Sequence, residues 1–325
     1  MSSLVAPDRR ARSVWAPVRH FTGRSLLGLL LIAAVGLGFG LLLLLVRSRW
    51  APLAHLDRAV ADGLNGAISP HPWLADALTG VSRLGGRPLM LWLVVFAVLL
   101  LVIRRRGRLA LYLVVTGLGA LVLDPTLKSL VGRVRPIVDV PIASAPGNSF
   151  PSGHALGSMV VYGALALVFL PAVAARWRAL FAALPVLIIA AVGFTRIALG
   201  VHFLSDVLAG WLLGIAWLGV TAYAFRLWRV ETGHTAPPLA EGLEPEAAPA
   251  IKPAPDHRGV THPWLQAAEI ATGWVLVFGV LYVLGLAVRD LHDDGLNRYL
   301  QSFRTTSLDS LSHLWSKAGD TTPSP

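Results

Sequence analysis

The chain has 325 residues, of which 55% are hydrophobic and only 14% are charged, and its formal net charge is +10. A soluble domain has roughly 25% charged residues, so the composition excludes a soluble globular protein and indicates an integral membrane protein. The absence of cysteine excludes disulfide bonds, thiolate metal sites and a cysteine nucleophile. Because basic residues in membrane proteins usually anchor cytoplasmic loops, the positive charge does not indicate nucleic-acid binding, and we expect none.

Apolar runs set the predicted architecture, since about 20 apolar residues in a helix cross a bilayer. We predict an all-α polytopic membrane protein with a core of six spans and a seventh, C-terminal span. The runs are Ser25–Val46, Leu84–Ile103, Leu109–Leu123, His154–Val173, Leu180–Phe194, Leu204–Phe225 and Ala268–Val288. The third and fifth runs are short, and we expect their helices to continue toward Lys128 and Leu199. The first run is too long for a signal-peptide core, so we interpret it as an uncleaved anchor.

Four further segments complete the predicted organisation around the core at residues 25–230. Residues 1–24 are basic, residues 52–83 have the pattern of amphipathic helices lying along the outer interface, and residues 231–262 are a Pro/Ala/Glu-rich, flexible linker. Residues 263–325 hold the seventh span and an amphipathic tail. Their "DDGLNR" is similar to the earlier "ADGLNG", so they are either a partial repeat of residues 25–86 or a second example of an interfacial helix.

The distribution of lysine and arginine predicts the orientation. If the spans alternate, the strongest basic clusters share one face, which we expect to be cytoplasmic; they lie in the N-terminus, at residues 104–108, at residues 176–178 and at residues 226–229. The N-terminus is then cytoplasmic and the C-terminus extracytoplasmic. We expect a multi-pass protein of the plasma membrane, which is the inner membrane in cells with two membranes.

Three polar clusters converge on the opposite, extracytoplasmic face, where positive charge is usually sparse. They are "LKSLVGRVRP" with Lys128, Arg133 and Arg135, the segment "NSFPSGHALGS", and "TRIALGVHFLSD" with Arg196, His202 and Asp206. Each residue alone has an ordinary interpretation as an interfacial anchor or a helix cap. Several cations, two histidines and a carboxylate on one side are harder to explain in that way.

The chemistry of these clusters suits a phosphate group. Arginine presents a planar fork that matches phosphate oxygens, and lysine adds a point charge. The turn at Ser152 and Gly153 opens an apolar span, so it offers backbone N–H groups and the positive end of a helix dipole.

Two histidines and one aspartate provide candidates for catalysis. His202 and Asp206 are four residues apart and share a helix face, so the carboxylate can fix the imidazole tautomer and leave the other nitrogen as a nucleophile. His154 is the candidate acid for a leaving alkoxide. A zinc site made of the same His/His/Asp set is an alternative, although the surrounding cations would repel a metal ion.

These residues resemble the three signature motifs of the type 2 phosphatidic acid phosphatase superfamily, which shares its core with vanadium haloperoxidases. The motifs correspond to Lys128 with Arg135-Pro136, to Pro151-Ser152-Gly153-His154, and to Thr195-Arg196 with His202 and Asp206. Thr195 stands where the family has serine. The resemblance covers about residues 25–225 and leaves the linker and the seventh span outside.

The resemblance implies a metal-independent reaction through a phosphohistidine, without a cofactor. His202 would attack phosphorus, Asp206 would orient it, and His154 would protonate the leaving group and then activate water. The phosphate would be held by a set of five residues: Lys128, Arg135, Ser152, Gly153 and Arg196. Arg133 matches no motif position, and we expect at most a supporting charge there.

The leading hypothesis is therefore a membrane phosphatase for lipid phosphates of the polyprenyl diphosphate, phosphatidate or phosphatidylglycerophosphate type. One alternative passes the phosphoryl group to an acceptor other than water, and another is a non-catalytic lipid-binding protein. The expected partners are the lipid substrate and the bilayer, and the seventh span is expected to pack against the core or against a second copy in a homo-oligomer.

Overall fold

The computed structural model describes residues 16–234 and 237–252, with side chains from residue 26 onward. The chain divides into two compact units at residues 253 and 254, and the second unit falls outside the described residues. The predicted seventh span, the C-terminal tail and the N-terminal arginines before residue 16 therefore lie outside the description. Every regular element within the described ranges is helical.

Eight helices and a short ninth form the described unit. They are α1 (Ala16–Arg47), α2 (Ala51–Ile68), α3 (Pro72–Ser82), α4 (Arg87–Ile103), α5 (Gly107–Val131), α6 (Gly153–Phe169), α7 (Arg178–Ala198), α8 (Leu204–Glu231) and α9 (Ala248–Ile251). Proline stands in the first turn of α2, α3 and α4, where its missing N–H has no helical partner to lose.

Six helical segments of the described unit are long and apolar enough to cross a membrane, in agreement with the six predicted core spans. The second segment is longer than predicted because α3 and α4 follow one another through a short turn at Arg83–Gly85. The helix of the third predicted span, α5, continues past Lys128 to Val131, and that of the fifth span, α7, continues to Ala198. Both helices are therefore longer than their apolar runs, as we expected. α5 ends at Gly132, whose φ of 65° is the left-handed conformation that glycine adopts at low cost.

The outer surface of the bundle is apolar. On α1, Leu37, Leu41 and Leu44 are each more than half exposed. A soluble protein would bury such a stripe, whereas lipid accepts it. Together with the six spans, this surface identifies a multi-pass membrane protein.

Helix α6 lies at the centre and contacts α4, α5, α7 and α8. Its N-terminus is very close to α8, because a Cβ at Gly210 would lie 2.7 Å from the Ser152 carbonyl oxygen. The Ser152 backbone N–H also donates to the Asp206 carbonyl, at 3.0 Å. The small residue at position 210 therefore lets the beginnings of α6 and α8 meet.

Helix α2 has the amphipathic pattern expected from the sequence, but its buried face is partly polar. It buries Asp57 and Asn65 together with Ala61 and Ile68. Asn65 donates to the Val140 carbonyl at 2.7 Å and accepts from the Val140 N–H at 3.2 Å. α2 therefore holds the long loop between α5 and α6.

Residues 237–252 differ from the expected unpacked linker. Leu243, Ala247 and Ile251 are buried in the hydrophobic core that α4, α5, α6 and α8 share at this end of the bundle. Arg229 of α8 is fully buried and forms ion pairs with Glu244, at 3.4 Å, and with Glu246. In a segment of such low complexity, the sequence pattern did not indicate that three apolar side chains would be buried or that two glutamates would pair with Arg229. Residues 253–262 of the expected linker are outside the description.

Candidate active site

The three predicted motifs meet at one end of the bundle. The C-terminal end of α5 with the following loop, the start of α6, and the turn between α7 and α8 all lie there. Hydrogen bonds join them directly: Ser149 N–H to the Arg133 carbonyl, Ser152 N–H to the Asp206 carbonyl, and Arg135 to the Val201 carbonyl. Residues as far as 66 positions apart in sequence are therefore bonded to one another in one polar centre.

His202 has a defined place in this centre and is only 2% exposed. Its Nε2 lies 3.1 Å from Nη1 of Arg135, and its Nδ1 lies 3.5 Å from Oδ2 of Asp206. Arginine can only donate, so Nε2 accepts and carries a lone pair, while the ring proton belongs on Nδ1, beside the carboxylate. The 3.5 Å separation is long for a hydrogen bond, so Asp206 acts on the ring mainly through its charge and position.

Asp206 is fully buried in the first turn of α8. Its Oδ2 accepts from the Phe203 N–H at 2.9 Å, which caps the helix, and its Oδ1 accepts from Arg133 at 2.6 Å. The Phe203 N–H and Arg133 therefore fix the position of the carboxylate beside His202.

The electrostatic setting of His202 favours the neutral imidazole. Burial lowers the pKa of His202 below its ordinary value, Asp206 acts in the opposite direction, and the charges of Arg135 and Arg196 lower it further. Because the ordinary value is about 6.5, His202 stays neutral at neutral pH and is available as a nucleophile.

Arg135 is held by a ring of carbonyl oxygens. Its guanidinium donates to Gly147 at 2.9 Å, to Val201 at 2.7 Å and to Pro146 at 3.1 Å, in addition to its contact with His202. Neutral carbonyl partners fix the position of the guanidinium without neutralising it. Its positive charge is therefore available to an anion beside His202.

Besides Nδ1 of His202, two buried donors in the centre have no hydrogen-bond partner among the described residues. They are the Ser152 hydroxyl and Nε of Arg196, whose Nη1 is bound to the Ser82 hydroxyl at 2.7 Å. Leaving a buried donor unpaired costs about 1–3 kcal/mol. Two such donors next to a helix N-terminus fit a site built for an anion.

His154 is the second residue of α6, directly after Gly153. A Cβ at Gly85 would lie 3.2 Å from Cδ2 of His154, so the imidazole packs against the turn that precedes α4. Arg196, His202 and Lys128 are close enough to act on His154 electrostatically. The two histidines therefore belong to one centre.

Lys128, which was predicted to hold the phosphate, is paired with an acidic side chain of its own helix. Its Nζ lies 2.9 Å and 3.2 Å from the two carboxylate oxygens of Asp124, one helical turn earlier. Arg87, at the start of α4, also binds Asp124, at 2.7 Å. Asp124 and Arg87 were not predicted from the sequence, although an acid four residues before Lys128 on a helix was a usable signal.

Arg133 and Asp57 are more closely tied to the centre than the sequence indicated. Arg133 donates to Asp206 at 2.6 Å, to Ser205 at 2.7 Å and to Asp57 at 2.7 Å, and it lies over the Phe203 ring. Asp57 also accepts from the N–H and the hydroxyl of Ser205, at 2.9 Å and 2.5 Å. No motif pointed to Asp57, which in the sequence is only an acid on an amphipathic helix.

The residues before the Pro-Ser-Gly-His turn connect it to α5 and the following loop. Asn148 donates to the Lys128 carbonyl at 2.8 Å, and the Ser149 hydroxyl donates to the Val134 carbonyl at 3.1 Å. Phe150 is fully buried and stacks with Phe39 of α1, with 6.3 Å between ring centroids. These contacts hold the turn against two other elements.

Within the part of the chain that the structure describes, no group of three histidine or acidic side chains is arranged to hold a metal ion. The donors that converge are guanidinium, hydroxyl and backbone N–H groups, which bind anions.

Comparison with known proteins agrees with this geometry. Residues 105–229 match the family described as the PAP2 superfamily. Phosphatidylglycerophosphatase B of Bacillus subtilis is 34% identical over 148 residues, which are 44% of this chain and 71% of the relative. An undecaprenyl-diphosphatase of Sulfolobus acidocaldarius is 33% identical over 132 residues, 39% of this chain and 59% of the relative.

A solved structure shares the architecture. The crystal structure of a transmembrane PAP2 type phosphatidylglycerolphosphate phosphatase from Bacillus subtilis aligns with a TM-score of 0.53 and 26% identity, covering 58% of this chain and 93% of that one. Sequence, fold and the assembled motifs agree, and the chain belongs to the PAP2 superfamily.

Proposed function

We propose that this protein is a lipid phosphate phosphatase that works through a phosphohistidine at His202. The contact between Nε2 of His202 and Arg135 carries the proposal. It requires a lone pair on the buried nitrogen and sets a phosphate-binding cation beside it. The two unpaired donors, Ser152 and Arg196, supply further ligands for the same anion.

In the first step, Nε2 of His202 forms a bond to phosphorus while the bond between phosphorus and the leaving oxygen breaks. The imidazole becomes cationic, and the Asp206 carboxylate beside Nδ1 stabilises that charge. Arg135, Arg196 and the start of α6 stabilise the charge on the phosphoryl oxygens. His154 gives its proton to the leaving oxygen.

In the second step, a water molecule attacks the phosphohistidine. His154, now deprotonated, accepts a proton from this water, which restores its acid form. The bond between phosphorus and Nε2 breaks, and orthophosphate leaves with neutral His202 restored. His154 thus gives one proton to the leaving group in the first step and takes one proton from water in the second.

Two observations support a lipid substrate. The relatives are named for phosphatidylglycerophosphate and undecaprenyl diphosphate, whose phosphates are attached to lipids. The centre also lies at the end of a bundle with six membrane-spanning segments, the depth at which a lipid headgroup would be found.

The charge distribution supports an extracytoplasmic site. The basic loop at Arg104–Arg106 joins the ends of α4 and α5 that are remote from the site. Arg176 and Arg178 lie where α6 connects to α7, at the same remote end. Basic loops usually remain cytoplasmic, which puts the site on the other face.

The central test is phosphate release from a panel of lipid phosphates by detergent-solubilised protein with EDTA present. The proposal predicts release by the wild type and a loss of at least about a thousandfold in His202→Ala, since the nucleophile is removed. Activity retained by His202→Ala would contradict the mechanism, and loss of wild-type activity in EDTA would indicate a metal enzyme. Transfer of label to an added alcohol would identify a phosphotransferase instead.

Asp57 is proposed as a positioning residue for Arg133, Asp206 and hence His202. In Asp57→Asn, one oxygen becomes an NH2 group that faces either the Ser205 N–H or the Arg133 guanidinium, so one of these contacts is lost whichever way the amide turns. We expect kcat to fall roughly tenfold to a hundredfold, the range for losing a hydrogen bond to a charged group. Asp62→Asn, on the exposed side of the same helix, is the matched control and should keep the wild-type rate. Equal rates in the two variants would show that Asp57 does not position the catalytic residues.

The absence of native cysteine allows a direct test of sidedness. Asp139, in the loop beside the site, and Arg105, at the remote end, are both exposed. In intact cells, a membrane-impermeant maleimide should label Asp139→Cys and should label Arg105→Cys only after permeabilisation. The reverse pattern would place the site on the cytoplasmic face.

A further inference from the structure

The turn between α3 and α4 reaches the candidate site, although none of the three motifs includes it. α3 ends at Ser82, and a short helical turn, Arg83–Gly85, leads to α4. The Ser82 hydroxyl accepts from Nη1 of Arg196 at 2.7 Å, across 114 positions of sequence. We refer to residues 82–85 as the α3–α4 turn. It adds a fourth segment of the chain to the three that carry the motifs.

Contacts with two central helices fix the position of the α3–α4 turn. The Tyr162 hydroxyl of α6 donates to the Leu84 carbonyl at 2.7 Å. A Cβ at Gly85 would lie 2.3 Å from Cγ1 of Val192 on α7, so the backbone of the turn packs directly against that helix. Close packing of this kind leaves little room for movement. Ser82 is therefore a fixed point beside Arg196.

Arg196 depends on Ser82 for the position of its guanidinium. Among the described residues, the Ser82 hydroxyl is the only hydrogen-bond partner of this guanidinium, and Nε is buried without one. Within the same ranges, no carboxylate forms an ion pair with Arg196. Arg135, by contrast, is held by four carbonyl oxygens. Loss of one hydroxyl would thus remove the whole described anchor of the Arg196 side chain.

A serine hydroxyl suits this position because it is a neutral acceptor. It fixes one end of the guanidinium fork and leaves the positive charge in place, whereas a carboxylate there would offset the charge. Ser82 and Arg196 are only 4% and 9% exposed, so water does not readily replace the contact. A buried arginine with one neutral anchor keeps its charge and its other donors for an oxyanion.

The same turn touches the candidate acid. A Cβ at Gly85 would lie 3.2 Å from Cδ2 and 3.4 Å from Cβ of His154. Ser82 and Gly85 are three residues apart, so one short segment contacts both a proposed phosphate ligand and the proposed proton donor. The α3–α4 turn therefore helps to set the spacing of Arg196 and His154.

We propose that Ser82 is a positioning residue that holds Arg196 in place to bind the phosphoryl oxygens. The inference rests on the proposed function, in which Arg196 stabilises the charge on these oxygens. In this role Ser82 does not touch the reacting atoms, and its effect is transmitted through Arg196. Removing the hydroxyl should weaken oxyanion binding while every group of the three motifs remains.

The test measures the Kd of orthovanadate, a phosphate-like oxyanion, on detergent-solubilised protein, together with kcat/KM for phosphate release from a lipid phosphate. In Ser82→Ala we expect the Kd to rise and kcat/KM to fall about tenfold, the lower end of the effect of losing a hydrogen bond to a charged group. Ser129→Ala removes an exposed hydroxyl from α5 and is the matched control, which should keep both wild-type values.

Two variants of equal shape separate positioning from packing. Ser82→Thr keeps the hydroxyl and Ser82→Val replaces it by a methyl group, so any effect of the branched side chain is common to both. We expect the Kd of orthovanadate to be about fivefold lower in Ser82→Thr than in Ser82→Val, because only the first retains the acceptor for Arg196.

Equal Kd values in Ser82→Thr and Ser82→Val would overturn the positioning role, and so would a wild-type Kd in Ser82→Ala. Absence of orthovanadate binding by the wild type would overturn it too, since Arg196 would then hold no oxyanion. A wild type that binds orthovanadate but releases no phosphate from lipid phosphates would contradict the proposed function. In that case the Kd comparison would still decide the role of Ser82.

Discussion

The geometry of the site depends on the guanidinium of Arg133, which is largely shielded from solvent. It joins Asp57 of α2 to Ser205 and Asp206 of α8, and the two carboxylates are at most 1% exposed. Removing one member of such a buried charge group typically costs about 3–5 kcal/mol, because the remaining charge has neither water nor its partner. The network therefore holds an outer helix, the loop after α5 and the start of α8 in one arrangement. His202, whose only carboxylate neighbour among its described contacts is Asp206, takes its orientation from that arrangement.

Around this fixed framework, the groups proposed to bind phosphate are held without being neutralised. Arg135 is bound by carbonyl oxygens, Arg196 by a serine hydroxyl, and Ser152 keeps a buried hydroxyl unpaired. Such preorganised donors stabilise a developing anion because they need not reorganise when the charge appears. Burial and the charges of Arg135 and Arg196 favour neutral His202, so in the proposed mechanism one set of charges serves both phosphate binding and nucleophilic attack. Lys128 differs from them because it is paired with a carboxylate, that of Asp124.

The sequence predicted the parts of this protein that local pattern determines. Apolar runs located the six spans, and the short motifs identified His154, His202 and Asp206 at one end of the bundle. The contacts that pattern does not encode were missed: Asp57 to Arg133 spans 76 residues, and its helix has the same amphipathic pattern as any interfacial helix. Composition was misleading for residues 237–252, where Leu243 and Ile251 are too sparse to form a periodic pattern yet fill a core. Arg87 was overlooked because its acidic partner is 37 positions away on another helix.

The most direct measurement is chemical trapping of the proposed intermediate. Protein of the His154→Ala variant would be mixed with a lipid diphosphate labelled in its terminal phosphate and quenched rapidly. A diphosphate leaving group needs little protonation, so His202 can still be phosphorylated, while loss of the base slows hydrolysis of the intermediate. We expect labelled protein in which the phosphorus–nitrogen bond is stable to base and labile to acid. The label should be absent from the double variant that also carries His202→Ala. Labelling that persists without His202, or no labelled protein during productive turnover, would contradict this expectation.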